Sequence, residues 1–62
     1  MTIRELRKQV GLSQDKFARE LGISTACVVK WEKNKSTPNI TQQGKLKEFC
    51  KRHDIDAEKV EI

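Results

Sequence analysis

The 62-residue sequence lacks several features that would define a function class. No apolar run approaches the roughly 20 residues of a membrane span, and the opening residues Met-Thr-Ile-Arg-Glu lack the apolar core of a secretory signal. Cys27 and Cys50 have no cysteine or histidine at the short spacing of a zinc site. We therefore expect a cytoplasmic protein with reduced thiols, no bound metal and no membrane segment.

Catalytic groups are equally scarce. A chain of this length buries only about 60% of the surface that its unfolded form exposes, which leaves little room for an enclosed active site. The one histidine, His53, lies in a charged stretch, and a single imidazole does not make a catalytic centre. We expect neither enzyme activity nor a cofactor, and no small-molecule substrate is evident.

Charge is abundant and unevenly placed. The net charge is +4, yet residues 53–62 contain four acidic side chains and only Lys59 as a base. Residues 1–52 carry 12 basic and 5 acidic side chains. A basic body with an acidic end suits a polyanionic partner that approaches from one side, although a plainly solvated charged surface is the alternative.

Apolar residues recur every three or four positions, and alternation typical of strands is absent, so the pattern predicts an all-α domain over residues 1–62. Helices are expected near residues 2–10, 14–21 and 25–33, with a fourth that begins near Thr41. Thr2, Ser13 and Ser24 are the expected N-caps, and Gly11 and Gly22 are the expected C-terminal stops.

The fourth helix and the chain end follow weaker signals. Ile40, Leu46, Phe49 and Cys50 are expected to supply the apolar contacts of the fourth helix. Gly44 disfavours a helix interior, which suggests that it permits a close backbone approach. In residues 54–62, Asp56 is a possible cap of a last short turn, and Ile55, Val60 and Ile62 are expected to pack back on the core.

Residues 14–33 show the spacing of a helix-turn-helix: a small Ala18, a turn at Gly22 and an inward Val28. The stretch Ser-Gln-Asp-Lys-Phe-Ala-Arg-Glu-Leu-Gly-Ile-Ser from Ser13 continues through Trp-Glu-Lys-Asn-Lys-Ser-Thr-Pro. It resembles the phage-repressor and Cro-like helix-turn-helix family over about residues 3–50. The positions that carry the likeness are Arg7, Gln14, Ala18, Gly22, Trp31, Glu32, Lys35 and Pro38.

The resemblance implies a compact four- to five-helix, lambda-repressor-like domain that binds double-stranded DNA. Residues 25–33 would form the recognition helix in the major groove, with Thr25, Ala26, Val29 and Lys30 at base edges. Phosphate contacts would come from Gln14, Ser24, Cys27, Lys33, Asn34 and Lys35. Arg7 and Glu32 would form a structural ion pair, while Trp31 at core spacing is expected to be buried.

The sequence departs from the family at two places. Asn34 precedes Lys35 where many members have Asn-Gly-Lys, but asparagine tolerates a left-handed backbone. Gln42, Gln43 and Gly44 stand where many members have leucines, which argues against the hydrophobic dimer face of some relatives.

The leading functional hypothesis is therefore a transcriptional regulator at the nucleoid of a bacterial or phage-type system, most simply a repressor that binds a palindromic operator as a homodimer. Two alternatives stay open: an interaction module of the antitoxin or antagonist-binding kind, and a DNA-targeting domain of a larger enzyme. The residues are compatible with a complete small regulator and with one domain of a longer chain.

Overall fold

Four α-helices and one short 3₁₀-helix make up the chain, with no strand, which confirms the all-α prediction. The computed structural model describes residues 1–62. The helices are α1 (Ile3–Gln9), α2 (Gln14–Leu21), α3 (Thr25–Glu32), α4 (Ile40–Arg52) and the 3₁₀ turn η1 (Ala57–Lys59). None of them is both long and apolar enough to cross a membrane.

Every α-helix begins at a side chain that accepts a hydrogen bond from a first-turn backbone amide. These N-caps are Thr2, Ser13, Ser24 and Asn39. Thr2 and Asn39 form full capping boxes, with Glu5 and Gln42 reaching back to the cap amide. Since the first amides of a helix have no intrahelical partner, each cap fixes where its helix starts.

A residue with a left-handed backbone follows the last turn of every α-helix. These residues are Gly11, Gly22, Asn34 and Asp54, with φ values of 72°, 73°, 58° and 56°. Beyond each, an amide donates to the carbonyl five residues earlier, as in Lys35 to Lys30 (2.9 Å) and Ile55 to Cys50 (2.8 Å). This is the Schellman motif. Asn34 therefore serves where glycine is usual, because its short polar side chain tolerates this conformation.

The core is a single cluster where the four helices meet. Its members are Ile3, Leu6, Phe17, Ala18, Leu21, Val28, Trp31, Leu46, Phe49, Cys50 and Val60. Phe17 of α2 meets Phe49 of α4 edge-to-face, with ring centroids 5.0 Å apart. Trp31 is 5% exposed, so its ring belongs to the core. Helix α4 therefore packs on α2, and α2 in turn supports α3.

Basic side chains of α4 strengthen its contact with the end of α2. Lys45 Nζ lies 3.4 Å from the carbonyl oxygen of Gly22, and an Arg52 nitrogen lies 3.3 Å from that of Glu20. The last carbonyls of a helix lack intrahelical partners and carry partial negative charge, which favours cations at this end.

The structure corrects three expectations about α4 and the chain end. Helix α4 begins at Ile40, next to the expected start near Thr41. The Ile40 side chain is 86% exposed and makes no core contact, contrary to the expectation. A Cβ added to Gly44 would meet nothing within 4 Å, so this glycine permits no close approach. Ile62 is also exposed at 37%, whereas Val60 is buried.

The acidic end packs against α4 and is hydrogen-bonded to Met1, which precedes α1. Asp56 caps η1 by accepting from the Glu58 amide at 3.0 Å. The amide of Glu61 donates to the carbonyl of Met1 at 2.7 Å, which joins this segment to the start of α1.

Candidate nucleic-acid interface

A three-residue turn sets the angle between α2 and α3. Gly22 adopts a left-handed backbone, the Ile23 amide bonds the Ala18 carbonyl at 3.0 Å, and Ser24 already caps the next helix. A side chain at Gly22 would be strained at this φ. Because the stop and the next cap are only two residues apart, α3 leaves α2 in one fixed direction.

The two sides of α3 differ sharply in exposure. Val28 and Trp31 are buried against the core, while Ala26 and Lys30 are exposed on the opposite side. Val29 is half-buried at the edge of that outer side. The outer face of α3, meaning Thr25, Ala26, Val29 and Lys30, therefore brings together the residues predicted to contact bases.

Thr25 has a partner that the sequence did not indicate. Its hydroxyl donates to Asp15 Oδ1 of α2 at 2.7 Å, which links the first turns of the two helices. Thr25 is half-buried and Asp15 is exposed. The two residues lie ten positions apart, a separation that matches no helical period, so no local pattern pointed to their contact.

The remaining polar groups at the start of α3 are also engaged. Ser24 Oγ accepts from the Cys27 amide at 3.2 Å, which leaves the Ser24 hydroxyl hydrogen available to an external acceptor. Cys27 Sγ accepts from Gln42 Nε2 of α4 at 3.3 Å and is half-buried. The Cys27 side chain therefore contacts α4 and is only partly exposed to solvent.

A basic loop follows α3 directly. Lys33 is the C-cap, and Asn34 and Lys35 complete the Schellman motif. All three side chains are exposed, and none of them makes an ion pair. The backbone of this loop is held by hydrogen bonds while its two ammonium groups stay free for an external anion.

Gln14 lies beside this loop through its contact with Glu32, at the end of α3. Gln14 Nε2 donates to Glu32 Oε1 at 3.3 Å. Arg7 of α1 donates through Nε to Glu32 Oε2 at 2.7 Å and through a second nitrogen to Oε1 at 3.1 Å. A third Arg7 nitrogen bonds the Leu12 carbonyl at 2.9 Å. One carboxylate thus joins α1, α2 and α3.

The electrostatics of this cluster favour its charged form. Burial by itself would raise the pKa of Glu32, but hydrogen bonds from Arg7 and Gln14 and the charges of Arg7 and Arg4 lower it below the ordinary 4.5. The Glu32 hydrogen bond raises the pKa of Arg7. The pair is therefore ionised throughout the neutral range.

Two amides at the start of α2 have no partner within the chain. The Lys16 amide bonds Ser13 Oγ at 3.2 Å and the Phe17 amide bonds the Ser13 carbonyl at 2.9 Å. The amides of Gln14 and Asp15 precede them and make no such bond. The predicted phosphate ligands thus fall in three groups: Gln14 at the start of α2, Ser24 and Cys27 at the start of α3, and the loop of residues 33–35 after α3. No group of acidic, histidine or cysteine side chains could hold a metal ion.

The arrangement of these helices is that of a helix-turn-helix DNA-binding domain, and comparison with known families agrees. The helix-turn-helix family model matches residues 3–56. The chain belongs to this family, in its Cro/C1 type.

Among individual proteins, the chain is similar to the uncharacterized HTH-type transcriptional regulator YiaG of Escherichia coli K12, with 49% identity over 40 residues. The proteins of the same name from the O6:H1 and O157:H7 strains give the same identity. The aligned stretch covers 64% of this chain and 42% of each relative, so the chain spans less than half the length of these curated relatives. No solved structure matched the chain.

Proposed function

We propose that this chain binds double-stranded DNA sequence-specifically, with α3 in the major groove, and acts as a transcriptional regulator. The observation that carries the proposal is the outer face of α3, which is free of core contacts at Ala26 and Lys30 and is continuous with an exposed basic loop. An α-helix fits the major groove, where each base pair presents a distinct pattern of donors, acceptors and methyl groups.

The chemistry of the outer face suits base edges. Lys30 can donate to guanine O6 and N7, and Ala26 and Val29 can contact thymine methyl groups. Thr25, at the first position of α3, can hydrogen-bond a base. Because none of these side chains is a long amide, we expect groove shape to contribute alongside direct contacts.

Phosphate contacts would fix the orientation of the domain on DNA. The unpaired amides of Gln14 and Asp15 and the positive start of α2 favour one phosphate. Lys33, Asn34 and Lys35 would bind a neighbouring one. Glu32 supports both groups, because it holds Gln14 through a hydrogen bond and ends the helix that precedes the loop.

The decisive experiment is selection from a random duplex pool at near-physiological salt, with the recovered sites sequenced. A recovered motif would support sequence-specific binding, and half-sites about 10 base pairs apart would support a homodimer on a palindromic operator. No enrichment by the folded protein would overturn the proposal in favour of a protein-interaction module.

Exchanging single lysines separates base contact from phosphate contact. We expect Lys30→Ala to change the preferred base at one position, and Lys35→Ala to weaken all duplexes about equally. Lys35→Ala should also reduce the steepness of the salt dependence by about 0.9 in log–log slope, the contribution of one phosphate. Lys47→Ala, an exposed site on α4, is the charge-matched control. An unchanged motif for Lys30→Ala would contradict the assigned face.

We further propose repression as the regulatory outcome, because a domain bound at its operator excludes other proteins from the DNA that it covers. A reporter placed behind the selected operator tests the sign. Reduced expression with the wild-type chain and restored expression with Lys30→Ala would support repression, and increased expression would contradict it.

A further inference from the structure

The hydrogen bond between Thr25 and Asp15 has a defined direction. A carboxylate has only acceptor oxygens, so the proton in the 2.7 Å contact must come from the Thr25 hydroxyl. Bonds from a hydroxyl to an ionised carboxylate are short and stronger than neutral ones. The single hydroxyl proton of Thr25 is therefore committed to α2, and only the lone pairs of Oγ1 stay available.

This pair occupies the point where base contact is proposed. Thr25 is the first residue of α3 and Asp15 is the second residue of α2. On the basis of the proposed function, we propose that Asp15 is a positioning residue that makes Thr25 an acceptor-only reader of bases. Asp15 would set the specificity of Thr25 without needing to touch the base itself.

An acceptor-only hydroxyl distinguishes bases in a particular way. In the major groove, adenine N6 and cytosine N4 are donors, whereas guanine O6 and thymine O4 are acceptors. Thr25 would therefore favour adenine over guanine, or cytosine over thymine, at the base it contacts. These are the two transition exchanges. A free threonine hydroxyl can rotate to donate or accept, and it would not discriminate between them.

The negative charge of Asp15 and its hydrogen bond to Thr25 should affect DNA binding in different ways. A carboxylate near phosphates weakens binding to every duplex, so its removal should tighten all of them together. Loss of the acceptor-only constraint should instead change the ratio between two duplexes that differ by one transition. That ratio is measured on one protein preparation, so it does not depend on the fraction of protein that is folded.

The experiment first locates the base and then tests the constraint. Duplex selection with the wild-type chain and Thr25→Val identifies the position whose preference depends on the hydroxyl. Competition binding then compares the preferred duplex with its transition-substituted partner, for wild type, Thr25→Ser and Asp15→Asn. Asparagine keeps the shape of aspartate but offers both a donor and an acceptor, which releases the hydroxyl. Glu48→Gln, an exposed change on α4, controls for lost negative charge.

We expect about five-fold discrimination in favour of the amino-bearing base for wild type, Thr25→Ser and Glu48→Gln, as for one net hydrogen bond. Asp15→Asn should reduce it to about two-fold or less. An unchanged ratio for Asp15→Asn would overturn the inference while leaving the proposed function intact, as would a Thr25-dependent preference for guanine or thymine. If the wild type selects no motif at all, the proposed function fails and the inference fails with it.

Discussion

Replacing Glu32 by glutamine tests how much the three-helix ion pair contributes to the stability of the domain. The substitution keeps the shape of the side chain but removes its charge and one acceptor oxygen. Glu32 accepts two hydrogen bonds from Arg7 and one from Gln14, and the side chains of Arg7 and Glu32 are 13% and 7% exposed. The variant leaves a guanidinium without its counter-ion in a place with little water.

The expected cost follows from this geometry. Removing one partner of a fully buried pair costs roughly 3–5 kcal/mol. Here the Leu12 carbonyl still accepts from Arg7 and the glutamine keeps one acceptor, so we expect a loss of about 2 kcal/mol. A 62-residue domain has a total stability of about 3–9 kcal/mol. The variant should therefore remain folded at 25 °C and melt about 8–16 °C lower.

Urea unfolding followed by circular dichroism measures this loss. With a slope of about 1 kcal/mol per molar urea, the midpoint should fall by about 2 M with an unchanged slope. Glu48→Gln is the matched control, since Glu48 is exposed and makes no ion pair, and it should shift the midpoint by less than about 0.5 M. A shift for Glu32→Gln as small as that of the control would refute the reasoning.

The same pair makes stability depend on pH. Because the folded state lowers the pKa of Glu32, its contribution is present above the ordinary value of 4.5 and is lost as pH falls through the folded-state pKa. We therefore expect the difference in unfolding free energy between wild type and Glu32→Gln to be constant near neutrality and to shrink below about pH 4.5. A difference that stayed constant down to pH 2 would contradict the assignment to this carboxyl.

Four further predictions concern three helix positions and one buried thiol. Gly44→Ala should raise the free energy of unfolding by about 1 kcal/mol, because the new methyl group meets no neighbour. Gly22→Ala should lower it by about 1–2 kcal/mol at φ 73°, and the reverse order in urea midpoints would contradict both. Asn34→Ala should cost about 1 kcal/mol while Asn34→Gly should not, since only alanine is strained at this left-handed position. Burial raises the pKa of the Cys50 thiol, so it should resist alkylation in the native state and react after unfolding, as peptide mapping would show.

The outer face of α3 contributes little to the core, and this allows the fold to serve the proposed function. Helix α3 is held through Val28 and Trp31 on one side and through the Glu32 cluster at its end. The helix is therefore rigidly placed while Ala26 and Lys30 remain free to contact another molecule. A helix that is docked on one side only can present its other side to DNA without rearrangement.

Much of the secondary structure could be read from the sequence because it depends on neighbours within four or five residues. Ser13 and Ser24 are caps, and Gly11 and Gly22 are stops, for reasons contained in the helix itself. Asn34 could be judged in the same way, because tolerance of a left-handed backbone belongs to the residue. The inward position of Trp31 followed from helical spacing.

The incorrect expectations arose where a local property of a residue was used to predict its contacts in the folded protein. Gly44 suggested a close approach because glycine disfavours helices, yet nothing lies near it. Ile40 suggested a core contact because it is apolar, yet its position at the first turn of α4 leaves it exposed. An apolar or flexible residue permits a contact, but the direction of its helix decides whether a neighbour is there.

The sequence by itself thus determined where α1, α2 and α3 start and stop, to within about a residue, and which side of α3 faces the core. Only the tertiary structure decided which polar groups meet across helices: Thr25 with Asp15, Gln14 with Glu32, and Cys27 with Gln42. The physical reason is that caps and stops use hydrogen bonds within one helix, whose geometry is the same in every protein. Contacts between helices depend on angles and distances that the whole core sets at once.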